Sequence, residues 1–255
     1  MSYQRIVSLA PSITESIFAL NAGHLLVGVT DYCNFPPETS KLKSIGGFIT
    51  PDLNKIKALA PQLLIATTTH KKNELEKVEN FGIKVEVIKM EDIFDTPEAI
   101  EELGHLTNQP QFANKLASET DLELKKLLEL AKKAKSVKKV YYLCSTGSFC
   151  AWKNKCTTTK LIELAGGKHI KLKNKDHLNS VITENPEVII IPYSKDREEY
   201  KETIAFLEKE NKLHDTIAYR TSNIQSITGE LLLRPGPRSP IGFEQLINAI
   251  HPELF

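Results

Sequence analysis

Four cysteines, seven histidines and a single tryptophan are the side chains of this sequence best suited to thiol, metal or ring chemistry. Cys144, Cys150 and Cys156 stand six apart, and that spacing fits no zinc site, because such sites open with pairs about two to four residues apart. Cys144 closes the apolar run Lys139–Leu143 and reads as a small core residue. Cys150 and Cys156 flank a loop that an oxidising compartment could bridge; reduced thiols are the expectation without a leader. His24, His105, His214 and His251 fall at helix ends or in loops. His70, after Thr67-Thr68-Thr69, alone follows a strand where a ligand would be met. One imidazole cannot build a bare-ion site, so His70 is either a solvated loop residue or an axial ligand to a metal already held in a chelate. GxGxxG, P-loop and nucleophile-elbow motifs are absent, and no spacing selects a histidine for Cys150. Ser145-Thr146-Gly147-Ser148 gives only the anion-binding signal of any strand-to-helix loop. An enzyme is not expected.

A second set of candidates comes from position. In parallel α/β sheets, ligands sit beyond the carboxyl ends of strands. Tyr32, Phe48 and Thr67 follow strands or turns of the first half, and Phe149 and Trp152 follow the first strand of the second half. Rings held there can clamp a flat, bulky ligand with much buried area and little entropy lost. Ordinary packing competes with that role for Tyr32, Phe48 and Phe149. Trp152 lies beside Lys153 and Asn154 in a polar loop, where no core demands it.

The elements that must position these residues alternate. Arg5–Leu9 reads as a strand, with Ser12 and Glu15 at capping-box spacing ahead of a helix over Ile17, Phe18 and Leu20. Leu25–Val29 is the next strand, and this order implies a parallel sheet with right-handed crossovers. Asp52 caps a helix that stops before Pro61; Leu63–Ala66 is a strand, Asn73–Asn80 a helix and Lys84–Ile88 a strand. A helix starts at Pro97. Pro110–Lys135 reads as one unbroken helix of roughly 35 Å. Beyond it come strand Lys139–Cys144, helix Thr157–Leu164, strand Val188–Ile191, helix Asp196–Lys209, strand Thr216–Tyr219 and a final helix over Phe243–Ile250. Leu53–Ile65 and Leu178–Ile190 match in Leu, Asn, a β-branched residue, Pro and an aliphatic run at an offset of 125. A duplicated helix–proline–strand unit points to two similar lobes. The expected divisions are a lobe over 1–108, a spine helix over 109–136 and a lobe over 137–255.

Charges nearly cancel, 33 basic against 32 acidic, which removes the electrostatic case for nucleic acid or an anionic membrane. No apolar run approaches the ~20 residues of a membrane helix. Met1–Arg5 carries no signal-peptide pattern, so the sequence as written reads as cytoplasmic, and as extracytoplasmic if a leader has been removed.

Together, Arg5–Glu15 (RIVSLAPSITE), Val27–Pro37 (VGVTDYCNFPP), the Gly46-Gly47-Phe48 turn, Leu53–Ala66 and Arg234-Pro235-Gly236-Pro237-Arg238 resemble the helix-spine substrate-binding proteins of ABC importers. The likeness is greatest to the cobalamin-binding branch, with ferric-siderophore and haem binders as relatives. It implies an α/β fold of two Rossmann-like lobes with central parallel sheets, joined by one long spine helix, with a cleft between them. The implied ligand is cobalamin, a related corrinoid or another metal chelate. No intrinsic cofactor is implied, and the chain is expected to be a monomer. By the same resemblance Arg234 points to the ligand, while Arg238 starts the last helix or pairs locally. In the transported branch each lobe offers a surface glutamate to permease arginines; the matching positions here are Asn54 and Asn179. That replacement weakens the expectation of a permease partner and admits an intracellular corrinoid carrier.

Overall fold

A computed structural model describes residues 3–143, 157–170, 177–193 and 197–255. The chain falls into two compact α/β units. The first is Met1–Leu122 with Arg234–Ser239; the second is Glu123–Leu233 with Pro240–Phe255.

In the first unit, β1 (Ile6–Ser8), α1 (Pro11–Ala19), β2 (Leu26–Val29) and β3 (Lys43–Ser44) are followed by α2 (Leu53–Ala58) and β4 (Leu63–Thr67). Then come α3 (Lys72–Glu79), β5 (Lys84–Ile88), α4 (Thr96–Leu106) and α5 (Pro110–Ala131). The strands form one sheet in the order β3-β2-β1-β4-β5, and each pairing is parallel. Successive strand residues face opposite sides of a sheet, and the core divides accordingly. Ile6, Leu63 and Ile65 pack with Ile13, Ile17, Ile100 and Leu103 of α1 and α4. Val7, Leu64 and Ala66 pack with Ile56, Leu75 and Val78 of α2 and α3. Both faces are covered, as an all-parallel sheet requires.

Helix α5 starts in the first unit and ends in the second, changing unit after Leu122. The second unit continues with β6 (Lys138–Tyr142), α6 (Thr157–Leu164), β7 (Gly167–His169), α7 (His177–Glu184) and β8 (Val188–Tyr193). It ends with α8 (Arg197–Lys209), α9 (Ile217–Arg220), β9 (Ile224–Thr228), α10 (Gly229–Leu233) and α11 (Ser239–Ile250). Its sheet, β7-β6-β8-β9, is also parallel throughout. The fold class expected from the strand–helix alternation is the one observed.

The duplicated motif occupies equivalent places. α2 leads to β4, which pairs with β1; α7 leads to β8, which pairs with β6. Between helix and strand each copy has one left-handed residue, Ala60 at φ 44° and Asn185 at φ 51°. Gln62 N–H donates to Arg5 O at 2.9 Å, and Glu187 N–H, from the matching position of the second copy, donates to Lys139 O at 2.8 Å.

Three local readings are corrected. Thr216–Tyr219 is not a strand: Thr216 is the N-cap of α9, its Oγ1 accepting from Tyr219 N–H, and the strand is β9. Ser12 and Glu15 form no capping box, because the N-cap of α1 is Ala10 without a side-chain bond, and Glu15 has a distant partner. The spine helix ends at Ala131, short of Lys135.

Candidate functional site

The order β3-β2-β1-β4-β5 reverses direction between β1 and β4, which is where an open parallel sheet opens a crevice at its carboxyl edge. Three loops meet there. The loop after β2 carries Tyr32, the turn after β3 carries Phe48, and β4 runs out at Thr67 towards His70.

Backbone bonds hold these loops to one another. Asp31 N–H donates to Gly46 O at 2.9 Å, and Ser44 Oγ donates to Asp31 Oδ1. The turn closes through an antiparallel bridge between Gly46 and Pro51. Gly46 is left-handed there, at φ 91°, a conformation that favours glycine. Beyond the turn, Asp52 caps α2, its Oδ1 accepting from Asn54 N–H at 2.9 Å and Lys55 N–H at 3.2 Å. That cap was legible in the sequence.

His70 joins the second loop to the third. Its Nε2 lies 3.0 Å from Phe48 O, a carbonyl that can only accept. Nδ1 lies 3.2 Å from each of Thr67 N, Thr67 Oγ1 and Thr67 O. The Phe48 ring meets the imidazole edge-on at 4.7 Å between centroids. In this arrangement both ring nitrogens are engaged by the protein. A metal would reach either ring nitrogen only by displacing Thr67 or the Phe48 carbonyl. Thr67 itself is buried, and its hydroxyl serves His70. Beside His70 lies an apolar cavity of about 110 Å³, lined by Leu9, Ile49, Pro51, Leu53 and Leu75 among others.

Tyr32 is 56% exposed, a large ring offered to solvent on a polar loop. Arg234 reaches that loop, with Nη1 2.7 Å from Asn34 Oδ1. Arg238 stands directly before α11, as one of the two sequence alternatives had it, but its pairing is not local. It binds Glu15 of α1, 223 residues away, with Nε 2.9 Å from Oε1 and Nη2 2.5 Å from Oε2. Proximity in sequence carried no signal for that bond.

Of the sequence candidates, Tyr32, Phe48, Thr67, His70 and Arg234 therefore lie on segments of the first unit that hydrogen bonds tie to one another. Phe149 and Trp152, with Cys144, Cys150 and Cys156, lie outside the described residues. Asn54 and Asn179 are both exposed, one on α2 and one on α7. Among the described residues, no three His, Cys, Asp or Glu side chains are grouped to hold a metal ion. Cys33, Asn34 and Phe35, which follow Tyr32, entered the sequence reading only as part of the Val27–Pro37 run and were given no role of their own.

Two parallel α/β units, a long helix running from one into the other and a loop cluster at the carboxyl edge of a sheet define a solute-binding class of protein. The pattern of the periplasmic binding protein family matches residues 6–231, and the chain belongs to that family. A vitamin B12-binding protein of Vibrio parahaemolyticus is 25% identical over 242 residues, 92% of this chain and 85% of that one. The crystal structure of the periplasmic vitamin B12-binding protein of Vibrio cholerae has a TM-score of 0.83 at 22% identity, over 97% of this chain and 96% of that one. The periplasmic haem-binding protein of Roseiflexus sp. RS-1, in its apo form, also scores 0.83, at 27% identity over the full length of both chains.

Proposed function

We propose that this chain captures a bulky metal chelate, with cobalamin or a related corrinoid as its ligand, and that it does no chemistry on it. The observation that carries the reading is the frame of Tyr32, Phe48, His70 and Arg234 on neighbouring loops, in a chain matched nearly end to end by vitamin B12-binding proteins. Exposed and half-buried rings supply flat apolar contact at little entropic cost, while Arg234 offers fixed donors to amide or carboxylate groups. Phe149 and Trp152 are the further rings proposed for the ligand from the second half of the sequence. Haem or a ferric siderophore is the second reading, favoured by the likeness to the Roseiflexus haem-binding protein and by an imidazole in the frame.

The partner implied is an ABC permease in uptake, or no permease if the protein handles corrinoid inside the cell. Two carboxylates close in sequence to these asparagines have partners of their own. Asp52 is committed to its helix cap, and Glu184 lies 4.0 Å from Lys139 Nζ. Nucleic acid and lipid are not implied, and the working form is a monomer.

Titrating the protein with cyanocobalamin, haemin and a ferric siderophore, read by visible absorbance and by Trp152 fluorescence, tests the ligand. Cobalamin is expected to bind at micromolar concentration or below, and Trp152→Ala to weaken it by about 2 kcal/mol or more, as a buried aromatic anchor does. A flat titration with all three chelates would overturn the reading.

A further inference from the structure

The segment Arg234–Ser239 leaves the second unit after Leu233, packs with the first and re-enters the second at Pro240. Its turn is closed by its own bonds, with Gly236 N–H donating to Ser239 Oγ at 2.8 Å and Ser239 N–H to Gly236 O at 2.9 Å. Two arginines project from this rigid turn towards the loop that carries Tyr32. Arg234 takes Asn34, as described. Arg238 grips both carboxylate oxygens of Glu15, and its guanidinium carbon lies 3.5 Å from the centroid of the Phe35 ring. Glu15 is 7% exposed, so this fork is the bidentate, charge-assisted kind that a lysine cannot reproduce. Cys33 is held separately, its buried thiol 3.1 Å from Thr14 Oγ1 and 3.2 Å from Thr30 Oγ1.

Cys33 is thus held by Thr14 of α1 and by Thr30, and Asn34 and Phe35 by the Arg234–Ser239 turn; the exposed ring of Tyr32 precedes all three directly. We propose that Arg238, acting through Glu15 and Phe35, is a positioning residue that holds the Tyr32 loop in its binding shape before ligand arrives. The proposal rests on the ligand reading above. A loop already ordered loses less conformational freedom on binding, so its clamp raises affinity without touching the ligand. Arg238 takes this role because its fork and its stacked plane reach two elements at once, α1 and the loop.

The test compares Arg238→Lys, Glu15→Gln and Phe35→Leu in the full chain, with cyanocobalamin affinity and amide hydrogen exchange as readouts. Arg238→Lys is expected to weaken binding about tenfold, within the range of coupling between contacting residues, and to speed exchange across residues 31–36. Phe35→Leu leaves the buried ion pair intact, so it should fold normally and show a smaller loss in the same direction. The decisive step repeats Arg238→Lys in a Tyr32→Ala background. A positioning role predicts that the affinity loss largely disappears there; an equal loss in both backgrounds overturns the proposal, as does unchanged affinity in both folded variants. If the unaltered chain binds none of the three chelates, the ligand reading fails, and the clamp is then judged on exchange alone. Faster exchange confined to residues 31–36 supports it, and unchanged exchange overturns it.

Discussion

The two copies of the repeat solve one backbone problem with different side chains. Each must end a short helix in a left-handed residue and turn at once into the central strand. In the second unit Asn185 takes that conformation, and its Oδ1 accepts from Ile217 N–H at 2.8 Å, tying the turn to α9. In the first unit the residue is Ala60, with nothing beyond Cβ to offer, and Arg5 reaches in from the strand before it. Arg5 Nε lies 3.3 Å from Ala60 O, and Nη2 donates to Leu59 O. Lys139 makes the matching bond in the second unit, its Nζ 2.9 Å from Glu184 O. What is duplicated is the path of the main chain. The bonds that stabilise it are free to differ, provided each left-handed turn is held by something.

The largest expected effect concerns what both copies share. Asn54 and Asn179 occupy matching, exposed places, where family members that dock on a permease carry glutamate by the resemblance noted above. The double variant Asn54→Glu, Asn179→Glu is expected to bind a cobalamin-importing permease about a hundredfold more tightly, if each restored contact contributes ~1.5 kcal/mol and the two add. A pull-down or transport assay reads this. Equal docking by the native chain and the variant would show that these positions carry no partnership.

Next is Asn185→Ala. It removes the acceptor of Ile217 N–H and places a worse residue in the left-handed region. Together these should destabilise the second unit by about 2 kcal/mol, read as a lower urea midpoint in the fluorescence of Trp152. Ala60→Gly should move the first unit the other way by less. Relief of left-handed strain, about 1 kcal/mol, is partly offset by the greater freedom of glycine in the unfolded chain, leaving a gain of ~0.5 kcal/mol. If Ala60→Gly destabilises, Ala60 is not strained and the contrast with Asn185 fails.

The repeat was legible because burial dictates its pattern. A strand covered on both faces reads as a continuous aliphatic run, and proline marks where the helix must stop. What escaped reading lacked that pressure. β3 is two exposed residues, Lys43-Ser44, and β7 is Gly-Lys-His; both are edge strands whose identity comes from pairing rather than from side chains. Thr216–Tyr219 looked β-branched and aromatic, yet the Thr216 hydroxyl serves better as a cap. The strand-end rule placed Tyr32, Phe48, Thr67 and His70 on loops at the carboxyl edge of one sheet, because topology alone puts loops there. It could not find the partnership of Arg238 with Glu15. Glu15 has the spacing of a local cap, and only the fold brings an arginine 223 residues distant against it.

The smallest effect tests whether chemistry or charge is conserved between the copies. Gln62 and Glu187 each follow the turn proline and accept, through a side-chain oxygen, from the backbone at the start of the first strand. Gln62 Oε1 lies 2.6 Å from Gln4 N and 3.3 Å from Arg5 N; Glu187 Oε2 lies 2.9 Å from Lys139 N. An amide and a carboxylate both present an acceptor oxygen at that reach, and differ in charge and in the NH2 that the amide carries in place of the second oxygen. Exchanging them, Gln62→Glu and Glu187→Gln, should therefore change stability by less than about 0.5 kcal/mol in either unit, since the bond survives and a surface charge contributes little. Replacing either with alanine removes the acceptor and should cost more, about 1 kcal/mol, because the strand's first N–H groups lose their partner. Urea midpoints of the four variants decide the matter. If each swap costs as much as its alanine counterpart, the position selects a charge and not merely an acceptor. The two copies would then be specialised at this point, and not interchangeable solutions to one turn.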